Sequence, residues 1–262
     1  MPQGGMRTIA VTGSASGIGA AVARRLGADG ARVIGVDLRD ADVTADLSTA
    51  AGRDAARDGV AARADGRLDG VVVCAGLGPQ VADHAAIVSV NYFGASVLLD
   101  GLRDLLAQGG SAAAVAIVSN SMTISPGCDG PIAAACLAGD EAEARRLAVA
   151  DRGPTVYAAS KLALGRLLRR RAASAEWGGA GIRLNGVAPG PILTPLLQGG
   201  LDDPALGQAI RSLPVPLGGF GAPDQIASAV RFLLSEEASF CCGSILFVDG
   251  GSDALLRPAS VG

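Results

Sequence analysis

The stretch TIAVTGSASGIGAAVARRL, residues 8–26, joins an apolar run to an amphipathic segment through a turn rich in glycine and serine. The apolar run is typical of a buried strand, and the segment after the turn has the pattern of a helix. The N–H groups and the dipole at the start of such a helix attract phosphate, and glycine lets a pyrophosphate approach the backbone closely. A plain tight turn is the alternative interpretation. The candidate phosphate-binding residues are Gly13, Ser16, Gly17, Ile18 and Gly19.

The same alternation of apolar runs and amphipathic segments continues along the chain. Further predicted strands are 32–37, 42–45, 70–74, 113–119, 182–187 and 245–248. Predicted helices begin near Ile18 and after the N-cap candidate Ser48, and others cover about 86–107, 155–173 and 223–235. Nearly continuous apolar strands separated by helices indicate a parallel sheet with helices on both faces. We therefore predict a doubly wound, Rossmann-type α/β fold that forms a single domain over residues 1–262.

Two segments interrupt this alternation. Residues 122–152 form an insertion between a strand and the next helix, and its part 139–150 has a helical pattern. Residues 191–221 are rich in proline, glycine and leucine, and long irregular connections of this kind are often lids over binding sites. The apolar lid residues are Leu193, Leu196, Leu197, Leu201, Leu206, Ile210 and Leu213. They favour a bulky apolar substrate, although leucines at helical spacing also pack the lid onto its own protein.

The composition argues against several kinds of partner. The net charge is −3, which disfavours nucleic acid. No charged and apolar leader is recognisable, and we expect no apolar stretch to reach the ~20 residues of a membrane helix, so we expect a soluble cytoplasmic protein. The cysteine count is odd, at five, and Cys-x-x-Cys is absent, which argues for buried free thiols rather than a disulfide framework or zinc site. A single histidine cannot build a multi-histidine metal site, so we predict no metal.

Tyr157 and Lys161 stand four residues apart in a predicted helix, on one face. Lys161 is the only lysine among 22 basic residues, and the chain has only two tyrosines. A tyrosine hydroxyl titrates near ~10, and a nearby cation lowers that pKa toward the range of proton transfer. The pair therefore predicts acid–base chemistry, with a surface ion-pair position as the alternative.

Small and polar residues follow the central strands. Ser119 and Ser121 come at the end of the predicted strand 113–119, where a hydroxyl can hold a substrate oxygen. Each serine also fits a role in a cap or a turn, and the choice between them stays open. Asn91 lies in a predicted helix, where asparagine is unfavourable. The small residues Cys74, Ala75 and Gly76 would let a cofactor ring approach the end of their strand.

Asp37 ends the second predicted strand, 20 residues after Gly17. An acidic residue at this place binds the ribose hydroxyls of NAD and disfavours the 2′-phosphate of NADP. A solvated loop aspartate is the alternative, and the nearby Arg39 could bind a 2′-phosphate instead. The adjacent adenine-side candidates are Leu38, Asp46 and Leu47.

These motifs, in this order, resemble the short-chain dehydrogenase/reductase family over nearly the whole chain, from Ile9 to Asp249. The resemblance implies NAD as cofactor and a catalytic tetrad of Asn91, Ser119, Tyr157 and Lys161. In that scheme the tyrosine is the acid or base, the lysine lowers its pKa, the serine orients the substrate oxygen and the asparagine holds a water. The segment that would cover the nicotinamide contains Asn185, Pro189, Gly190, Ile192 and Thr194.

Within the family, the strings 36–43, 45–50, 74–80, 88–94 and 249–251 resemble the bacterial 3α-hydroxysteroid dehydrogenase/carbonyl reductases. That resemblance implies an oxidoreductase that interconverts a secondary alcohol and a ketone, on an apolar substrate such as a 3α-hydroxysteroid. The alternatives are a polyol or sugar dehydrogenase, an epimerase-type enzyme, and a non-catalytic NAD-binding protein. We also expect a homodimer or homotetramer, in which the insertion alters the helix-to-helix contact usual in the family.

Overall fold

One parallel sheet of seven strands forms the centre of the molecule in the computed structural model, which describes residues 6–260. The strands are β1 (Thr8–Thr12), β2 (Arg32–Asp37), β3 (Val43–Thr44), β4 (Gly70–Val73), β5 (Ala113–Ile117), β6 (Arg183–Pro189) and β7 (Ile245–Val248). Their order across the sheet is β3-β2-β1-β4-β5-β6-β7, and neighbouring strands are parallel. The predicted Rossmann-type α/β fold is confirmed.

Helices connect the strands and cover both faces of the sheet. They are α1 (Gly17–Ala28), α2 (Ala50–Ala61), α3 (His84–Val88), α4 (Ala95–Ala107), α5 (Ser121–Ile124), α6 (Pro131–Ala138), α7 (Glu141–Val149), α8 (Gly153–Ala172), α9 (Pro195–Asp202), α10 (Gly207–Arg211), α11 (Pro223–Leu234) and α12 (Ser252–Leu256). A π-helical turn, Ser89–Gly94, joins α3 to α4. The lid region thus contains α9 and α10, and the insertion contains α6 and α7.

Side-chain alternation along β1 explains why the sheet needs helices on both faces. Ile9 and Val11 are buried in one apolar cluster with residues of α1 and α11, whereas Ala10 belongs to the opposite cluster with residues of α4 and α8. Successive residues of a strand point to opposite faces, so an apolar run without alternation buries both. Each fully buried large aliphatic side chain contributes about 1.5–3 kcal/mol, which favours the layered arrangement.

Local details differ from the predictions at several boundaries. The N-cap of α2 is Thr49, whose side chain accepts from the Gly52 N–H, and not Ser48. Strand β5 ends at Ile117, so the predicted run to residue 119 is too long and the two serines do not share a strand face. The predicted helix 139–150 begins later because Gly139, at φ +76°, ends α6 in the left-handed conformation.

The expectation that no apolar stretch is long enough for a membrane helix was wrong. Among residues 6–260, the continuous helical run His84–Ala107 is long and apolar enough to cross a membrane by length and composition. However, 67% of its apolar window is buried inside the protein. Leu98, Leu99 and Leu102 are each at most 1% exposed and pack in the core beside the sheet. Its apolar character is therefore accounted for by packing within the molecule.

The insertion is joined firmly to the body of the protein. Its helix α6 packs on α8, and α7 packs on α3. The guanidinium of Arg53 on α2 donates to both carboxylate oxygens of Glu141 on α7, at 3.1 and 2.6 Å. Arg145 on α7 donates to the Ser89 hydroxyl at 2.6 Å. The Arg53 side chain is 6% exposed and that of Glu141 is 26% exposed, so this ion pair lies largely out of water.

Replacing Glu141 by alanine would leave the Arg53 guanidinium buried without its carboxylate partner. Breaking a fully buried pair in this way costs about 3–5 kcal/mol, and the partial exposure of Glu141 reduces the cost. We expect Glu141→Ala to lower the free energy of unfolding by about 2–3 kcal/mol, measured by urea denaturation. Glu143→Ala is the matched control, because Glu143 is on the same helix and pairs with an exposed arginine. Equal effects of the two substitutions would contradict the prediction.

Candidate functional site

A cleft of about 520 Å³ opens at the carboxyl ends of β1, β4, β5 and β6. Ligands of open α/β sheets bind at this edge, next to the point where the strand order reverses. The predicted site residues that line the cleft are Gly13, Ser16, Gly17, Ile18, Gly19, Cys74, Ala75, Gly76, Ser119, Tyr157, Lys161, Pro189, Gly190, Ile192 and Thr194. The alternative serine, Ser121, also lines it. Those that do not line it are Asp37, Leu38, Asp46, Leu47, Asn91 and Asn185.

The glycine turn after β1 lies tightly against the loop after β4. The Thr12 hydroxyl oxygen accepts from the N–H groups of Cys74 and Ala75, at 2.9 and 3.0 Å. Gly13 has φ +69°, and a Cβ there would lie 2.9 Å from the Ala75 backbone. A Cβ at Gly19 would lie 2.0 Å from the Gly13 carbonyl oxygen. Only glycine fits at these two positions, so the turn needs its glycines for packing as well as for any ligand.

The start of α1 remains available to a ligand. Its N-cap Ser16 makes no side-chain cap bond in the part of the chain that the structure describes. The first N–H groups of a helix have no partner within the helix. Here they belong to residues 17–19, which line the cleft. This geometry fits an anionic group such as a pyrophosphate, as the turn predicted.

Asp37 lies beside the turn rather than in the cleft. Its carboxylate accepts from the N–H groups of Ala15, at 3.0 Å, and Leu38, at 2.7 Å. Asp37 therefore stands next to the phosphate-binding turn, where a ribose is expected. Asp46 is exposed, and Leu47 is buried in the core. The adenine-side roles of Leu38, Asp46 and Leu47 stay predictions.

Helix α8 brings Tyr157 and Lys161 into the cleft on one face, as their spacing predicted. Lys161 Nζ donates to the Ile117 carbonyl oxygen at 2.8 Å and lies 5.9 Å from the centre of the Tyr157 ring. The lysine is 4% exposed. Burial lowers its pKa to about 8, because desolvation disfavours the ammonium form.

The pKa of Tyr157 differs in direction from the expectation. Burial raises it above the ordinary value, a hydrogen bond with the Ser119 side chain lowers it, and Cys74 raises it further. Desolvation of the tyrosinate is the largest effect on this pKa. The lowering of the pKa that was expected from Lys161 is therefore not seen. Tyr157 is therefore protonated near neutral pH in this state.

The two candidate serines have different surroundings. Ser119 Oγ accepts from the Ser121 N–H at 3.2 Å, which leaves its own proton free to donate toward the cleft. Ser119 is also the side chain that lowers the pKa of Tyr157. Ser121 Oγ is buried and has no partner within residues 6–260. The geometry thus favours Ser119 as the serine that acts with Tyr157.

Two asparagines assigned to the site by resemblance lie behind it. Asn91, on the π-helical turn, accepts from Leu77 N–H at 2.8 Å and donates to the Leu77 carbonyl and the Ser160 hydroxyl, at 3.0 and 3.3 Å. It therefore holds the loop after β4. Asn185 bonds to Cys241 and Ser244, away from the cleft. Neither lines the cleft, and the roles that the resemblance implies for them stay predictions.

The segment after β6 lies between the glycine turn and the C-terminal strand. A Cβ at Gly190 would lie 2.8 Å from Asp249, and one at Gly17 would lie 3.3 Å from Thr194. Asp249 is 7% exposed, accepts from the Asn120 amide at 3.4 Å and from the Gly251 N–H at 3.0 Å. These contacts hold the predicted nicotinamide-covering residues against the rest of the cleft.

The lid supplies an apolar wall. Five of the seven predicted lid residues line the cleft, namely Leu196, Leu197, Leu206, Ile210 and Leu213. The alternative that these leucines only pack the lid onto the protein therefore does not account for the arrangement. The predictions missed further lining residues that come together only in the fold, namely Pro79, Gln80, Ile124, Ser125, Arg152 and Pro154.

The five cysteines are free thiols, of which Cys128 and Cys136 are buried and Cys242 is exposed.

Comparison with known proteins agrees with this geometry. Residues 7–128 match the family model "short chain dehydrogenase", and residues 144–253 match "enoyl-(acyl carrier protein) reductase". The chain is 45% identical to a 3-alpha-hydroxysteroid dehydrogenase/carbonyl reductase of Comamonas testosteroni, over 97% of this chain and 99% of that protein. It is 32% identical to a D-threitol dehydrogenase of Mycolicibacterium smegmatis, over 92% and 90%.

A solved structure is similar over the same length. The crystal structure of a 3-alpha-hydroxysteroid dehydrogenase from a Pseudomonas species, complexed with NADH, superposes with a TM-score of 0.94. The sequence identity is 48%, and the match covers 97% of this chain and 100% of that one. The similarity includes the insertion and the lid, since so little of either chain is left out.

Replacing Lys161 by methionine would remove a buried charge and keep most of the side-chain volume. Folding lowers the pKa of Lys161 from 10.5 to about 8, so the folded state disfavours the proton. This penalty is fully present below about pH 8 and is relieved as the pH rises toward 10.5, because the folded lysine deprotonates first. We expect Lys161→Met to be more stable by about 1–3 kcal/mol at pH 7. Thermal unfolding at pH 7 and pH 10 checks this, and a gain that does not shrink at pH 10 would contradict it.

Proposed function

The chain belongs to the short-chain dehydrogenase/reductase family, and we propose that it interconverts a secondary alcohol and a ketone with NAD as its cofactor. The single observation that carries this function is the meeting of Ser119, Tyr157 and Lys161 with the glycine turn in one cleft. The open helix start and the glycine positions without room for a side chain fit a dinucleotide. When bound, the cofactor accepts or supplies the hydride.

The side chains of the cleft divide the proton chemistry among them. Ser119 donates its hydroxyl proton to the substrate oxygen and orients it, because its lone pair is engaged by the Ser121 N–H. Tyr157 gives its proton to that oxygen in reduction and takes it back in oxidation. Lys161, charged below about pH 8, is the ammonium beside the tyrosine ring and stabilises the tyrosinate. Asn91 positions the loop that faces Lys161 across Gly76.

The substrate we propose is a bulky apolar molecule, with a 3α-hydroxysteroid as the leading candidate. Leucines of the lid form one wall of the cleft, and apolar surface removed from water contributes about 25 cal/mol per Å². A rigid ring system fills such a wall better than a polyol does. The similarity to hydroxysteroid dehydrogenases over 97% of the chain supports the same class.

Incubation of the purified protein with NAD and a panel of alcohols tests this function. We expect NADH to form with androsterone-type alcohols and far less with short alcohols, sugars or D-threitol. Tyr157→Phe should reduce turnover by about 10²–10⁴-fold or more and leave NAD binding nearly unchanged. Turnover of polyols alone would reject the steroid, and near-native activity of Tyr157→Phe would reject the mechanism. NAD that co-purifies and resists dialysis, without net NADH formation, would indicate an epimerase-type enzyme.

Asp37 should make the protein prefer NAD over NADP. A carboxylate beside the turn pairs with ribose hydroxyls and repels a 2′-phosphate, a difference of several kcal/mol for a close like-charge contact. We expect kcat/KM to be much higher with NAD, and Asp37→Ala to narrow the gap. Asp42→Ala is a matched control, because this nearby carboxylate accepts from the Gly35 N–H instead. Equal kcat/KM values for the two cofactors in the unaltered protein would refute the prediction.

We also propose that the protein is a soluble cytoplasmic homo-oligomer, a homodimer or a homotetramer, whose contact does not run through the exposed face of α8 alone. Helix α6 of the insertion packs on α8 and covers surface that would otherwise meet a partner. Symmetric dimers are the commonest assembly of soluble proteins. Light scattering should give a mass of two or four chains. A solution or crystal structure with α8 packed against its own copy would refute the proposed arrangement.

A further inference from the structure

Two buried polar atoms of residues that line the cleft have no hydrogen-bond partner within the described residues 6–260. They are Gln80 Oε1 and Ser121 Oγ. Ser121 stands directly beside Ser119, whose Oγ accepts its N–H, and so belongs with the reacting group. Gln80 lies apart from it, on the loop after β4, and neither the proton chemistry nor the cofactor uses its side chain.

The lid fixes the orientation of the Gln80 amide. Its Nε2 donates to the Leu196 carbonyl oxygen at 3.1 Å. A Cβ at Gly199 would lie 2.9 Å from that nitrogen, and a Cβ at Gly200 would lie 3.8 Å from Oε1. The amide thus lies against the glycine pair of α9. A flipped amide would bring Oε1 against the Leu196 oxygen, so Oε1 remains the free group and can only accept.

We propose that Gln80 determines specificity by accepting a hydrogen bond from a second hydroxyl of the substrate, separate from the alcohol that is oxidised. The inference rests on the proposed function and names the substrate more closely. Oε1 is already buried and unpaired before any substrate binds, so a substrate hydroxyl that reaches it supplies the hydrogen bond that the described residues leave unmade. A ketone at the same place has no proton to donate. A site with a buried acceptor therefore discriminates between a substrate with a hydroxyl and one with a ketone at that position.

Matched pairs of 3α-hydroxysteroids test this, each pair carrying either a hydroxyl or a ketone at position 7, 12 or 17. The products are separated by chromatography, so that only oxidation at position 3 is counted. We expect at least one pair in which kcat/KM is about ten-fold or more higher for the hydroxyl compound. A pair whose two members react equally well identifies a position whose hydroxyl does not reach Gln80.

Three variants separate recognition from a merely structural role. Gln80→Met removes both the acceptor and the bond to Leu196, whereas Gln80→Glu keeps an acceptor and removes only that bond. We expect the preference for the hydroxyl compound to vanish in Gln80→Met and to persist in Gln80→Glu. Gln198→Met is the matched control, because Gln198 is on α9, the helix that Gln80 contacts, but it bonds to Asp202 and does not line the cleft. It should keep the preference.

The outcomes distinguish this inference from the function on which it rests. If the steroids are oxidised but no pair differs, or if both Gln80 variants slow both members of a pair equally, Gln80 only holds the lid and the inference is overturned. If none is oxidised, calorimetry on the Tyr157→Phe variant with NAD measures binding of the same pairs. Tighter binding of a hydroxyl member supports the inference. Equal binding overturns it, and no binding overturns it together with the proposed substrate.

Discussion

The ammonium group of Lys161 donates to the carbonyl oxygen of Ile117, the last residue of β5, at 2.8 Å. This bond joins α8, which carries Tyr157, to the end of β5, two residues before Ser119. Burying a charged ammonium group destabilises the folded state, and the lowered pKa of Lys161 reflects this desolvation. Lysine has three donors, so it can bond the backbone and still direct N–H groups toward the cleft. The buried lysine thus lowers the stability of the fold and places a positive charge beside Tyr157.

A second contact determines how the two halves of the cleft meet. The Thr12 hydroxyl binds the N–H groups of Cys74 and Ala75, and so draws the end of β1 against the end of β4. The approach is close enough that Gly13 has no room for a side chain. Asn91 then holds the continuation of the same loop from behind. The glycine turn and the loop after β4 are therefore held together by direct hydrogen bonds and close packing.

The sequence was sufficient to predict features that depend on local pattern. The strands followed from apolar runs that require burial on both faces, and Tyr157 and Lys161 followed from their helical spacing. Other features depend on distant contacts. The π-helical turn that carries Asn91 has no signature in an otherwise regular helical pattern. Whether burial or charge dominates the pKa of Tyr157 depends on the packing around it, and Gln80 meets the lid only in three dimensions.

Asp249 supports residues that line the cleft, and this has a consequence for how the protein is made. Gly190 packs against Asp249, and Asn120 donates to it, so β7 and the residues after it support this wall of the cleft. A ribosome delivers the chain from its N-terminus, and the glycine turn, the loop after β4 and the helix of Tyr157 all emerge long before residue 249. A growing chain would thus acquire its glycine turn early. Its catalytic competence would arise only when the last strand joins the sheet edge.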